Sequence, residues 1–153
     1  MKREVRHYIP HIDEFHVGFE YEVLQKVEEY NNDMLTTFPV NTEEQVFKYT
    51  FPDSYYGFDV EKLIKNCNVR VKFLDADDII SLGFQFAGET KDYQLFTKLT
   101  NVGIGPNVIE LSLNYYGDFP VVTMSDDKDP LVDRIICLNK SELKWLLTRF
   151  KIA

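Results

Sequence analysis

The N-terminal segment holds the residues with the clearest potential for chemistry. Residues 7–16 contain three histidines and two carboxylates: His7, His11, His16, Asp13 and Glu14. Imidazole and carboxylate groups together are suitable ligands for zinc and similar ions. However, Pro10 interrupts any helix that would place His7 and His11 on one face, and no second cluster supplies further ligands. We therefore expect residues 1–8 to form a mobile or partner-facing arm, with no cofactor, and we keep a metal-dependent hydrolase as an alternative.

Two acidic groups further along the chain have structural explanations. They consist of Asp75, Asp77 and Asp78, and of Asp126, Asp127 and Asp129. The first group follows a predicted strand, where Asp75 would cap a helix and the other acids would interact favourably with the helix dipole. The second group precedes Pro130 and predicts a turn, because the ligand spacing and closing Glu of an EF-hand are missing.

The sequence contains no recognisable catalytic motif. There is no GxSxG elbow, and neither Cys67 nor Cys137 has a histidine nearby in sequence. The pair Gly103 and Gly105 is not followed by the Lys-Ser/Thr of a phosphate loop. The sequence therefore favours a protein that is not an enzyme, since an active site would have to be assembled from residues distant in sequence.

Trp145 is the strongest candidate for a binding residue. The predicted last helix has an apolar stripe of Leu143, Leu146, Leu147 and Phe150. At about 100° per residue, Trp145 lies about 200° from Leu143, and Arg149 follows one turn later. An exposed Trp beside an Arg is typical of an interface hot spot, whereas burial under a loop is the usual state of large aromatic residues. Tyrosines in turns that contain glycine would extend such an interface: Tyr55, Tyr56, Tyr115 and Tyr116.

Composition and charge narrow the class of protein. The chain has 153 residues, 44% hydrophobic and 27% charged, as expected for one globular domain over residues 1–153. Its formal charge of −8 argues against a nucleic-acid-binding surface and favours basic partners. Two isolated cysteines, no signal peptide and no long apolar run predict a cytoplasmic protein without a membrane segment.

Apolar periodicity predicts an α+β fold, with a mainly antiparallel sheet of six to eight strands and two or three short helices. Strands are expected over Val17–Leu24 and Gln45–Phe51, with residues 28–44 between them as a long surface loop. A C-terminal meander is expected over residues 84–87, 92–100, 107–116, 119–125 and 131–138. Asn139 and Glu142 would form a capping box at the start of the last helix, which packs its stripe on the sheet.

Three stretches resemble a known group of proteins. They are Ile9–Val23, Val69–Phe84 and Leu138–Ile152. Their order resembles that of small uncharacterised proteins encoded by phages of gut Bacteroidales, including the crAss-like group. The shared motifs are structural rather than catalytic. The resemblance implies a virus-encoded accessory protein in the host cytoplasm or the virion, and it implies no active site.

We therefore expect a non-catalytic protein–protein interaction module, either a virion component or a protein that binds a host factor. Its partner would be a viral or host protein, with no direct nucleic-acid binding and no membrane association. The alternatives are a metal-dependent hydrolase that uses the N-terminal histidines, and an acidic mimic of nucleic acid. The mimic would align its carboxylates on one face.

Overall fold

The part of the chain that the structure, a computed structural model, describes contains nine strands. That part consists of residues 4–30, 39–52, 60–66, 68–101, 106–127 and 129–152. The chain divides into two compact units: His7–Val71 form one, and the residues before His7 and from Lys72 onwards form the other. Each unit has a hydrophobic cluster of its own.

The unit formed by residues 7–71 is built on a four-stranded sheet with the order β1-β4-β2-β3. Its elements are β1 (His7–Tyr8), a 3-10 turn (Ile12–Glu14), β2 (Glu20–Tyr30), β3 (Pro39–Thr50), α1 (Val60–Lys65) and β4 (Val69–Lys72). β2 and β3 pair antiparallel, with Tyr21 opposite Tyr49. The core of this unit consists of Phe19, Tyr21, Val23, Val69 and Val71, which share one face of the sheet.

The start of β2 differs from the prediction. Val17 was expected to face the core, but its side chain is 80% exposed. Gly18 has a φ of +89° and donates its N–H to the Phe51 carbonyl, so the chain turns before the strand begins at Glu20. The alternation of Phe19, Tyr21 and Val23 toward the core is confirmed.

The predicted loop over residues 28–44 is also wrong at both ends. Glu28 pairs with Thr42 and Glu29 with Asn41, so β2 and β3 continue into the polar segment. Backbone hydrogen bonds between two strands do not require apolar side chains, which explains why the hydrophobic pattern gave no sign of this extension. Residues 31–38 lie outside the described part of the chain.

The predicted arm over residues 1–8 ends in regular structure. His7 and Tyr8 form β1, which pairs with β4, and the Phe73 N–H donates to the Arg6 carbonyl at 2.9 Å. These backbone partners hold the end of the arm, whose short polar sequence carried no strand pattern.

The second unit contains a five-stranded antiparallel meander with the order β5-β6-β7-β8-β9. Its elements are α2 (Ala76–Ser81), β5 (Gln85–Glu89), β6 (Gln94–Thr100), β7 (Asn107–Tyr116), β8 (Phe119–Ser125), β9 (Pro130–Ile136) and α3 (Lys140–Arg149). In the register of β7 and β8, Leu113 lies opposite Val122, and both side chains are buried. α3 packs on this face, because Leu143 and Leu147 belong to the same core cluster.

The predicted α+β class with a mainly antiparallel sheet, a C-terminal meander and a docked final helix is confirmed. The strands are divided between two sheets, whereas the sequence predicted one sheet of six to eight strands. The expectation of a single domain over residues 1–153 stays a prediction. None of the helices in the described ranges is long and apolar enough to cross a membrane.

Candidate protein-binding surface

The start of α3 is fixed by two polar side chains. The Asn139 side-chain oxygen accepts the N–H of Glu142 at 3.0 Å, which makes Asn139 the N-cap. The Glu142 carboxylate in turn accepts the N–H of Leu138 at 2.5 Å. Asn139 is only 2% exposed, so the cap is anchored in the unit's core. The predicted N-cap is confirmed, whereas the Glu142 carboxylate, the single acidic side chain of α3, binds the N–H of Leu138 instead of completing the predicted capping box.

The end of α3 is a Schellman motif with an unusual residue at its centre. The Lys151 N–H donates to the Thr148 carbonyl at 3.0 Å, and the Ile152 N–H donates to the Leu147 carbonyl at 2.8 Å. Lys151 has a φ of +57°, in the left-handed region where glycine is usually found. Ile152 is 3% exposed, so burial of its side chain holds this geometry.

Packing of the apolar stripe determines which side of α3 faces solvent. Leu143, Leu146 and Leu147 are buried in the core cluster, as the stripe predicted. The four exposed residues of the helix lie away from this side: Lys144, Trp145, Thr148 and Arg149. We call these four residues the α3 face.

Trp145 is the most prominent residue of the α3 face. Its side chain is 53% exposed, and the guanidinium carbon of Arg149 lies 5.3 Å from the centroid of its ring. This distance is within the range of a cation–π interaction. The interpretation that a loop covers Trp145 is therefore wrong, and the interpretation as an exposed Trp beside an Arg is confirmed.

The C-terminal segment carries the opposite charge from the rest of the chain. It contains four basic residues and one acidic residue: Lys140, Lys144, Arg149, Lys151 and Glu142. The whole chain nevertheless has a formal charge of −8. Among the described residues, no carboxylate lies within salt-bridge distance of Arg149 or Lys151. The α3 face therefore carries two basic side chains, Lys144 and Arg149, and no acidic one.

The tyrosines predicted to extend this interface do not do so where they are described. The Tyr115 hydroxyl donates to the Leu74 carbonyl at 3.1 Å, and its ring packs against the core. Tyr116 is 75% exposed, but it pairs with Phe119 on the sheet face opposite to α3. Strand alternation therefore directs Tyr115 to the core and Tyr116 to the opposite sheet face, and neither residue belongs to the α3 face. Tyr55 and Tyr56 lie outside the described residues.

Sequence reasoning missed one exposed apolar group on that opposite sheet face. Phe119, which pairs with Tyr116 across the hairpin, is 48% exposed. Ile136, which pairs with Val121 of the neighbouring strand, is 56% exposed. The signal that could have located this group is the turn at Gly117 and Asp118, which forces the residues on either side of it to pair across the hairpin.

The three histidines serve separate local roles. His7 Nε2 lies 3.4 Å from a Glu22 carboxylate oxygen, which is also 2.7 Å from the Nε of Arg70. His11 caps the 3-10 turn, and the ring Nδ1 of His16 lies 2.8 Å from the carbonyl of Glu14. No group of three or more His, Cys, Asp or Glu residues that could hold a metal occurs among the residues described.

The acids after β4 form a helix cap with a lysine counter-ion. Asp75 caps α2 in a box with Asp78, which confirms the predicted capping role. Lys72 Nζ lies 2.9 Å from Asp75 Oδ2 and 3.0 Å from Asp78 Oδ1. Burial raises the pKa of Asp78 despite its bond to Lys72. Burial opposes the charge of Lys72, but hydrogen bonds to both acids outweigh it and raise the Lys72 pKa.

The acids before β9 form the predicted turn. The Asp126 carboxylate accepts the N–H of Asp129 at 2.6 Å, and the Asp126 N–H donates to the Asp129 carbonyl at 3.0 Å. Both hydrogen bonds lie within the turn, so the two aspartates stabilise the turn itself.

Cys137 is poorly suited to nucleophilic chemistry. It is 1% exposed, and burial, with a smaller effect from the Glu142 charge, raises the pKa of its thiol well above the usual range. The reactive form of cysteine is the thiolate, which this environment disfavours. Cys137 is a free cysteine in the core of its unit, whereas Cys67 lies outside the described residues.

Comparisons with known proteins identified no relative of this chain. No protein-family model matches the chain, and searches of curated proteins and of solved structures found no match.

Proposed function

We propose that this chain is a non-catalytic module that binds another protein through the α3 face. The observation that carries the proposal is the exposure of Trp145, at 53%, beside the guanidinium of Arg149 on a helix whose other side is locked into a core. Trp and Arg are the residues most enriched among binding hot spots. A rigid helix presents them with little loss of conformational entropy on binding.

The exposed part of Trp145 is large enough to matter energetically. A Trp side chain buries about 200 Å² when covered, so the half that is exposed here represents about 100 Å². At about 25 cal/mol per Å², covering that area would contribute about 2–3 kcal/mol to association. This is the size of effect that defines a hot-spot residue.

The resemblance to phage proteins of gut Bacteroidales supports a more specific proposal. In it, the module is encoded by a phage and acts in the host cytoplasm or as part of the virion. The partner is then a viral structural protein or a host factor.

The test is capture of a partner by the full chain, followed by measurement of its affinity. The bait is the wild-type chain, incubated with extract of infected host cells, and the captured protein is identified by mass spectrometry and purified. Titration calorimetry then compares the wild type with Trp145→Ala. We expect the affinity to fall by at least about thirtyfold, the equivalent of a 2 kcal/mol hot spot.

Tyr116→Ala is the matched control, because Tyr116 is a large aromatic residue that is even more exposed than Trp145 but lies on the opposite sheet face. We expect it to change the affinity by less than about threefold. The proposal is contradicted if no captured protein depends on Trp145, or if Tyr116→Ala and Trp145→Ala weaken binding equally.

A further inference from the structure

We infer that the α3 face recognises an acidic segment of its protein partner. This inference rests on the proposed function and adds the chemistry of the partner. The net charge of −8 favours basic partners for the chain as a whole, but the segment from Lys140 to Lys151 has the reverse charge. At physiological ionic strength, charges farther away than about 8 Å are largely screened. The local charge around Trp145 therefore determines what binds there.

Arg149 and Lys151 are the charges that carry the inference. Both side chains are exposed, and no carboxylate among the described residues lies within salt-bridge distance of either. Arg149 is the last residue of α3 and Lys151 lies just beyond it, at the helix end where the dipole places partial negative charge and a basic side chain is stabilised. A carboxylate of a partner would gain a charge-assisted hydrogen bond with either side chain without displacing an internal one.

The contact between Arg149 and Trp145 adds a geometric reason. A guanidinium held 5.3 Å from an indole centroid has fewer conformations than a free arginine side chain, so less entropy is lost when it binds a carboxylate. The same contact places an apolar surface directly beside the charge. The complementary ligand is therefore a segment with Asp or Glu next to an apolar or aromatic residue.

Single-stranded nucleic acid is the competing class of ligand, because it also combines negative charge with flat rings. The described surface fits it less well. Nucleic-acid sites use a track of basic residues along several phosphates, whereas the α3 face carries only two basic residues, Lys144 and Arg149. An acidic protein segment needs only one or two such contacts.

The experiment selects ligands without assuming a partner. The full chain is immobilised and incubated with a pool of random-sequence peptides, and the retained peptides are sequenced by mass spectrometry. We expect them to be several-fold enriched in Asp and Glu relative to the input. In the variant Arg149→Glu/Lys151→Glu, we expect the enrichment to move to Lys and Arg. Retention of acidic peptides should also fall several-fold when the salt concentration is raised.

The outcomes separate the inference from the function on which it rests. Retained peptides that depend on Trp145 but are neutral or basic would overturn the acidic partner and leave the protein-binding function standing. Peptide retention that is unchanged by Trp145→Ala would contradict both. If an oligothymidylate competes more strongly than the best acidic peptide, the ligand is nucleic acid and the inference is wrong. Melting curves of each variant show that it is folded before it is compared.

Discussion

The guanidinium carbon of Arg149 lies 5.3 Å from the ring centroid of Trp145, one helical turn further along α3. The two residues contact each other on the solvent side of a helix whose opposite side is buried. Their position follows from the register of the apolar stripe, because packing Leu143 and Leu147 into the core leaves residues 145 and 149 outside. Because of this packing, a mutation on the exposed side of α3 and a mutation on its buried side should have different effects on stability.

Trp145→Ala should change stability modestly. Because about half of the Trp145 side chain, about 100 Å², is covered in the fold and Ala is a better helix former, we expect a loss of about 1–2 kcal/mol in the free energy of unfolding. Leu143→Ala on the buried side should cost about 2–5 kcal/mol. Urea unfolding followed by circular dichroism measures both variants. A loss for Trp145→Ala as large as that for Leu143→Ala would place Trp145 in the core.

Lys72→Met should destabilise the protein in a pH-dependent way. It leaves Asp75 and Asp78 close together without their counter-ion, which we expect to cost about 1–3 kcal/mol near neutral pH. Burial already raises the pKa of Asp78, and loss of Lys72 would raise it further. A carboxyl with a raised folded-state pKa destabilises the fold as it ionises, so the deficit of the variant should shrink as the pH falls toward the raised pKa.

Chemical unfolding of Lys72→Met at several pH values provides the measurement. Lys91→Met, a change at an exposed lysine outside any helix or strand, is the control and should show no such trend. A deficit for Lys72→Met that stays constant or grows as the pH falls would show that the two ion pairs do not contribute as described.

Lys151→Gly should stabilise the protein. Lys151 occupies a left-handed conformation, with a φ of +57°, that disfavours a side chain. Glycine removes this penalty, and we expect a gain of about 0.5–1 kcal/mol over Lys151→Ala, which keeps the Cβ atom. Both variants lack the lysine charge, so the difference between them in thermal and urea unfolding measures the backbone effect alone. Equal stabilities would mean that the helix does not end in a Schellman motif.

Cys137 should be unreactive in the folded protein. In a Cys67→Ser background, we expect its reaction with Ellman's reagent to be at least about a hundredfold slower than in denaturant, because the thiol is buried and its pKa is raised. The absorbance of released thionitrobenzoate follows the reaction. Reaction at the rate of the denatured protein would contradict burial beneath α3.

Sequence patterns predicted the second unit more closely than the first. The bounds of β7 and β8 coincide with those predicted, because apolar residues alternate from Ile109 to Tyr115 in β7 and the turn at Gly117 separates the two strands. The caps at Asp75 and Asn139 were predictable for a similar reason, since they depend on residues a few positions apart. Strand bounds and helix caps depend on residues that are close together in sequence, so the sequence alone predicts them well.

Features that depend on long-range pairing could not be read from the sequence. Extension of β2 and β3 into a polar segment depends on pairs such as Glu28 with Thr42, which leave no hydrophobic signal. The inward position of Tyr115 and the outward position of Tyr116 depend on strand register and on the face that α3 covers. Helical periodicity placed Trp145 off the stripe, but only the packing around α3 shows that its side chain is 53% exposed.

Iodide quenching of tryptophan fluorescence tests the central claim most directly, because Trp145 is the only tryptophan in the chain. In the free protein, we expect ready quenching by iodide and weaker quenching by caesium, since the Arg149 guanidinium lies beside the ring. In the complex with a captured partner, the iodide quenching constant should fall several-fold as the ring becomes covered. A ring that is shielded in the free protein, or equally accessible with and without the partner, would contradict the account.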